Sequence, residues 1–172
     1  MLRATFLGTS AAQPTIGRNL SGLAVRHARE LLLFDCGEGT QRQMIRYGTG
    51  FDVAAIFFTH FHADHYLGAI GFLRTLSMID RRQPLDLYGP RPARRLLKAM
   101  LFAGTDATSF EVTIHEVEPG AAVRGPCGLG GIPAPAPRPP PGRGRDRLAV
   151  AARTPGRQRG GSIGPRRDAS RA

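Results

Sequence analysis

A layered α/β domain is the fold class this sequence predicts for residues 1–124, and three observations point to it. Short apolar runs of strand length alternate with stretches of helical spacing. Glycine and proline punctuate the joins between them. Near Arg124 the composition then changes abruptly, which sets a boundary between a folded portion, 1–124, and an Arg/Pro/Gly-rich tail, 125–172.

Taken in order, "LRATFLG" (2–8) and "LAVRHARELLLFDCG" (23–37) read as strands, the second a hairpin turning near "RHARE". "GTQRQMIRYG" (39–48) predicts a helix with Thr40 as N-cap, Met44 and Tyr47 on one face and Gly48 as terminator. "VAAIFF" (53–58) suits a buried strand, and "LGAIGFLRTLSMI" (67–79) has helical spacing. "PLDLYGP" (84–90) predicts a strand and turn, and "RPARRLLKAML" (91–101) an amphipathic helix. "FEVTIHEVEPG" (110–120) alternates as a strand and ends in a Pro-Gly turn.

The net charge of +11 belongs mostly to the tail. Residues 1–124 carry 13 Arg and one Lys against 11 acids, whereas 125–172 carry 10 Arg against two. The tail also holds 9 of the 14 prolines and 10 of the 22 glycines, with no aromatic residue and no periodicity that could bury a face, so disorder is expected there. Three explanations stay open: an RNA-binding tail, a solvated linker, or an out-of-frame product of a GC-rich gene, since the arginines outnumber lysine 23 to one. No apolar run approaches the length of a membrane span, and the first residues lack a secretory leader, so a cytoplasmic protein without membrane attachment is expected. Cys36 and Cys127 lie far apart and read as unrelated thiols.

The chemistry concentrates in "FFTHFHADHYLG" (57–68). Three of the five histidines, His60, His62 and His65, fall within six residues, with Asp64 among them. Imidazole nitrogen and carboxylate oxygen are good ligands for zinc and similar ions. In an extended loop His60 and His62 can point the same way, and Asp64 with His65 can face a neighbouring position after a turn. That spacing suits two ions side by side, and two metals about 3.5–4 Å apart can ionise a water and stabilise both oxygens of a phosphoryl displacement. The cluster also follows an apolar strand at its C-terminal end, where α/β proteins place ligand sites.

His-x-His-x-Asp-His after a strand resembles the signature of the metallo-β-lactamase superfamily. With "FLGTSAAQPTIGRNLSGLAV" and "LLLFDCGEGTQRQM" before it, the stretch from Leu2 to Val123 resembles the N-terminal portion of the ribonuclease Z family, zinc endonucleases that trim the 3′ end of precursor tRNA. The resemblance implies a four-layer αββα sandwich with its N-terminal part present and its C-terminal part missing, Zn2+ as cofactor, precursor tRNA as partner, and a homodimer. It gives His60 and His62 to one zinc and Asp64 and His65 to the other, with Asp64 also as proton acceptor. An aspartate at a metal is a weak base, so orienting water is the alternative role.

The resemblance also places the "PTIGRN" loop near substrate, where Arg18 offers a planar fork to phosphate and Thr15 or Asn19 neutral hydrogen bonds. Asp35 ends an apolar strand, where it either braces the metal loop or caps a turn. Gly8 and Ser10 fall in a tight turn, Glu38 is not expected to be a ligand, and His27 and His115 read as surface histidines. The family's remaining ligands (a histidine, a bridging aspartate and a final histidine) would lie beyond residue 124, yet no histidine follows His115. The chain alone is therefore expected to bind zinc weakly, fold poorly and cleave little. Hydrolysis of another phosphodiester or a sulfate ester, and a non-catalytic RNA-binding remnant, are the alternatives.

Overall fold

The computed structural model describes residues 1–103, 107–118, 121–123 and 132–133. The tail expectations for 125–172 therefore lie outside the described residues, apart from one two-residue strand.

Six strands form one sheet in sequence order: β1 (Leu2–Gly8), β2 (Gly22–His27), β3 (Glu30–Phe34), β4 (Val53–Phe57), β5 (Leu85–Gly89) and β6 (Val112–Glu116). The first three pair antiparallel and β3 to β6 pair parallel. Parallel neighbours need crossovers, and helices supply them: α1 (Thr40–Tyr47) joins β3 to β4, α2 (Ala63–Tyr66) and α3 (Gly68–Met78) join β4 to β5, and α4 (Ala93–Leu101) joins β5 to β6. A short pair, β7 (Ala122–Val123) and β8 (Ile132–Pro133), stands apart. No helix among the described residues is long and apolar enough to cross a membrane.

Alternation along the strands divides the core by sheet face, with the β3–β4 register shifting by one residue after Val53, so that Val53 and Ile56 share a face. On one face Leu31, Leu33, Val53, Ile56, Leu85 and Leu87 pack under Met44, Phe72, Leu76 and Leu97 from the helices. The opposite face carries a second cluster around Leu32, Ala55, Phe57 and Tyr88. There the register aligns Phe34, Phe57, Tyr88 and His115 across four strands, and their rings stack at centroid distances of 5.1, 4.8 and 4.5 Å. Of the four layers expected, the described residues supply a helix layer, one full sheet and the two-stranded β7–β8.

Several local expectations need correction. Thr40 is not the N-cap: Gly39 takes that position at φ 78°, and the buried Thr40 hydroxyl donates to the Gly37 carbonyl at 2.7 Å. Tyr47 does not share the buried face of Met44 but is exposed, because three residues carry it past the stripe that meets the sheet. Gly48 does end the helix, at φ 60°. His115 is no plain surface histidine: its Nε2 meets Asp86 Oδ1 at 2.8 Å and its ring lies on Tyr88. His27 is half-buried, and its Nδ1 has no hydrogen-bond partner among the described residues.

Cys36, fully buried after β3, has its thiol pushed up to about 12 by burial, which the Thr40 hydroxyl opposes and Asp35 reinforces. A thiol needs its thiolate to react. In a Cys127→Ser chain the remaining thiol is therefore expected to ignore a disulfide reagent at pH 8 until denaturant is added, as followed by absorbance. Fast reaction in buffer would contradict this packing.

Candidate metal centre

The parallel strands β3 and β4 end on the same edge of the sheet, and both run directly into polar residues there. Asp35 follows β3 with φ 58°, a left-handed conformation that aspartate tolerates better than most residues. Its N–H donates to the Phe57 carbonyl at 2.8 Å, so the carboxyl is fixed beside the end of β4. The residue is only 5% exposed. Burying an unpartnered carboxylate would be costly, but this one collects several donors. Oδ1 accepts from the Thr59 N–H at 2.8 Å and the Thr59 hydroxyl at 2.9 Å. Oδ2 accepts from the Ser21 hydroxyl at 3.2 Å and meets His65 Nδ1 at 2.6 Å.

Donor inventory then assigns the imidazole protons. A carboxylate only accepts, so His65 carries its hydrogen on Nδ1 and leaves Nε2 as the basic nitrogen. The single Thr59 hydroxyl hydrogen is taken up by Asp35, so this oxygen accepts from His60 Nδ1 at 3.0 Å. His60 Nε2 is then basic as well, and it faces His62 Nδ1 at 3.1 Å. The His60 and His65 rings lie 4.0 Å apart by centroid.

Asp64 completes the group. The turn expected after His62 is α2, a four-residue turn of helix that carries Asp64 and His65. Asp64 Oδ2 accepts the Ala12 N–H at 2.9 Å and lies 3.5 Å from His65 Nε2. Burial raises its pKa, but the hydrogen bonds from the Ala12 N–H and its own backbone N–H, with the charge that His65 and His60 carry when protonated, outweigh that and leave it below the usual carboxylate value.

Two glycines let the backbone close around the cluster. A Cβ on Gly68, at the start of α3, would meet the Gly37 carbonyl oxygen at 1.9 Å, and one on Gly37 would meet Asp64 O at 2.5 Å. Cys36 N–H donates to His65 O at 2.7 Å and stitches the same contact.

The donor chemistry fits divalent zinc. Two donors on a tetrahedral zinc stand about 3.3 Å apart, close to the separation of His60 Nε2 and His62 Nδ1. Among the described residues, however, no three His, Cys, Asp or Glu side chains meet so as to hold one ion. The cluster holds its donors in two close pairs, His60 with His62 and Asp64 with His65.

The residue two places ahead of the "PTIGRN" loop, Ala12, reaches this centre through its N–H. Thr15 and Asn19 spend their polar atoms locally: Thr15 Oγ1 accepts the Arg18 N–H at 3.0 Å, and Asn19 Nδ2 donates to the Glu38 carbonyl at 2.8 Å. The exposed Arg18 guanidinium has no side-chain partner among the described residues. Thr59 and Ser21 were not singled out in the sequence. Thr59 directly precedes His60 at a strand end, a position that could have flagged it, whereas nothing local marks Ser21.

A family model described as the metallo-beta-lactamase superfamily matches residues 17–156. A ribonuclease Z of Myxococcus xanthus (strain DK1622) is 66% identical over 123 residues, which are 72% of this chain and 40% of that protein. One from Haloferax volcanii is 50% identical over 119 residues, 69% of this chain and 38% of its own. Among solved structures, human tRNase Z, short form, superposes with a TM-score of 0.60 at 39% identity, covering 67% of this chain and 44% of that one. The chain thus spans about two-fifths of the length of the curated relatives it matches.

If Asp35 organises the centre, Asp35→Ala should leave half-buried donors on Thr59, Ser21 and His65 without their acceptor. A fully buried donor left unpaired costs about 1–3 kcal/mol and water recovers part of that here, so a drop in the urea midpoint is expected, with Asp35→Asn intermediate because it keeps one acceptor oxygen and tolerates the backbone. Equal stability of wild type and Asp35→Ala would contradict the wiring.

Proposed function

Because the chain belongs to the metallo-beta-lactamase superfamily, we propose that its metal centre is that of a ribonuclease Z-like, zinc-dependent endoribonuclease. The reaction is hydrolysis of the phosphodiester at the 3′ end of precursor tRNA, leaving a 3′-hydroxyl on the tRNA and a 5′-phosphate on the trailer. The observation that carries this reading is the Asp35 network, which engages Nδ1 of both His60 and His65 and leaves their Nε2 atoms as the available donors. The high identity to proteins named ribonuclease Z supports the substrate class.

His60 and His62 would hold one zinc, and Asp64 and His65 the other. Zinc bound there would supply Lewis-acid chemistry, making water acidic and offsetting charge on the phosphoryl oxygens. Residues of this chain do the rest. Asp35 holds the His65 ring by its Nδ1–H and the His60 ring through Thr59, so neither imidazole can rotate away without breaking a buried hydrogen bond. Asp64, below the usual carboxylate pKa, is ionised at neutral pH and accepts a hydrogen bond from the attacking water, which it orients. Its position is held by the Ala12 N–H.

With two donors per position, zinc binding by the 172 residues alone should be weak and their cleavage slow. A homodimer acting in the cytoplasm is part of the same proposal and rests on the resemblance alone.

The test joins residues 1–123 to the part of the Myxococcus xanthus ribonuclease Z that follows the matched region. The chimera is expected to remove a 3′ trailer from a precursor tRNA transcript, to lose this on chelation and to regain it with zinc. His62→Ala should reduce the rate by about 10²-fold or more, the scale on which loss of metal-site groups acts. A folded, zinc-loaded chimera that leaves the trailer intact would contradict the proposal. If it hydrolysed a small phosphodiester instead, the reading would move to another phosphodiesterase of the superfamily.

A further inference from the structure

Beside the metal centre, loop 13–19 and helix α1 enclose an open cleft of about 530 Å³, lined in part by Arg18, Glu38, Arg42 and Arg46. Three arginines thus line the cleft with one acidic residue. Arg18 and Arg42 make no side-chain hydrogen bond or ion pair among the described residues, and Arg46 lies over the Tyr47 ring, 5.8 Å from its centroid. Exposed arginines on a helix are usually solvated and idle, or paired with acids four residues away. Here residue 38, the one acid lining the cleft, leaves the surplus positive charge unneutralised.

The walls of the cleft are fixed. Asn19 ties the loop to the start of α1 through the Glu38 carbonyl, at 2.8 Å. The Thr15 N–H donates to the Arg18 carbonyl at 2.8 Å, and the Ser10 N–H to the Asn19 carbonyl at 2.9 Å. Gly39 permits the contact, since a Cβ there would meet Asn19 Oδ1 at 2.8 Å. Ala12, just ahead of the same loop, gives its N–H to Asp64, and Gly37, two residues before the cleft-lining Gly39, lies against the Asp64 backbone, so both walls of the cleft run on to the candidate metal centre. Arg42 and Arg46 are four residues apart on α1, about 6 Å along its axis, and present their charges in a row.

We propose that Arg42 and Arg46, continuing from Arg18, form a track for the phosphate backbone of RNA beside the metal centre. That RNA is the polyanion rests on the ribonuclease Z-like reading; the cleft and its charge do not. Arginine suits this work because its planar fork grips phosphate oxygens without reading base identity. Arg42 and Arg46 are positioning residues: they hold the strand and take no part in bond cleavage.

The test measures binding of the full 172-residue chain to a labelled precursor tRNA transcript as potassium chloride is raised, without zinc, so that it does not depend on cleavage. The tail is the same in every variant and cancels in the comparison. Each phosphate contact contributes about 0.7–0.9 to the slope of log affinity against log salt. Arg42→Gln with Arg46→Gln should lower that slope by about 1.4–1.8, while Arg42→Lys with Arg46→Lys should keep most of it. Removing the same charge from α4, with Arg94→Gln and Arg95→Gln, should leave the slope within about 0.5 of wild type. Circular dichroism checks that each variant folds; if the glutamine pair does not, Arg42→Gln and Arg46→Gln taken singly decide the matter, each expected to lower the slope by about 0.7–0.9. An equal fall for the α1 and α4 pairs, or no fall for the α1 pair, would overturn the proposal. Because no cleavage is read, a failure here leaves the reaction untouched, and failure of the chimera to process tRNA leaves this track standing.

Discussion

One buried carboxyl organises the candidate centre. Asp35 lies where β3 stops, and its two oxygens receive donors from three separate parts of the chain: Ser21 before β2, Thr59 after β4, and His65 in α2. A carboxyl withdrawn from water is tolerable only when its lone pairs are filled. The structure fills them with groups that also carry or orient the histidines. Satisfying Asp35 and aiming the imidazoles are therefore the same event, and neither can be altered without the other.

Sheet topology makes that convergence possible. With β3 and β4 parallel, their C-terminal ends share an edge, so Asp35 and Thr59 meet although 24 residues separate them. Had the two strands been antiparallel, the same residues would sit at opposite edges. Helix α3 then starts almost on the Gly37 backbone, which closes the floor beneath Asp64. Backbone contact of this kind excludes any side chain larger than hydrogen, and it converts the packing of a helix on a sheet into a fixed loop.

Much of this was legible in the sequence. The apolar run at 53–57 lies within a strand that is buried at four of its five positions, so a short uninterrupted hydrophobic stretch was the right signal for it, and "PLDLYGP" holds the strand at 85–89 that was read from it. The crowding of His60, His62, Asp64 and His65 marked the centre because no ordinary structural need gathers four such donors. Asp35 was legible as a polar residue ending an apolar strand, although the sequence alone left turn-capping open. What could not be read depends on contacts distant in sequence. Ala12 and Asp64 are 52 residues apart, and nothing in the "GTSAAQ" stretch announces a backbone donor for a carboxylate. The stacking of His115 on Tyr88 likewise follows from a register between β5 and β6, which periodicity within either strand does not fix. Thr40 misled for a different reason: its residue type suits an N-cap, but Gly39 reaches the left-handed geometry that this turn requires and displaces it by one position.

The central claim is that Asp35 sets the tautomers of two histidines before any ion arrives. Nitrogen-15 and proton correlation NMR of the imidazole rings tests it most directly, in metal-free protein near pH 8, about 1.5 units above the ordinary imidazole pKa, with signals assigned by single His→Gln variants. The account predicts that His60 and His65 both carry hydrogen on Nδ1 and have an unprotonated Nε2. Finding either ring as the Nε2–H tautomer, or as a rapidly exchanging mixture of the two, would contradict it.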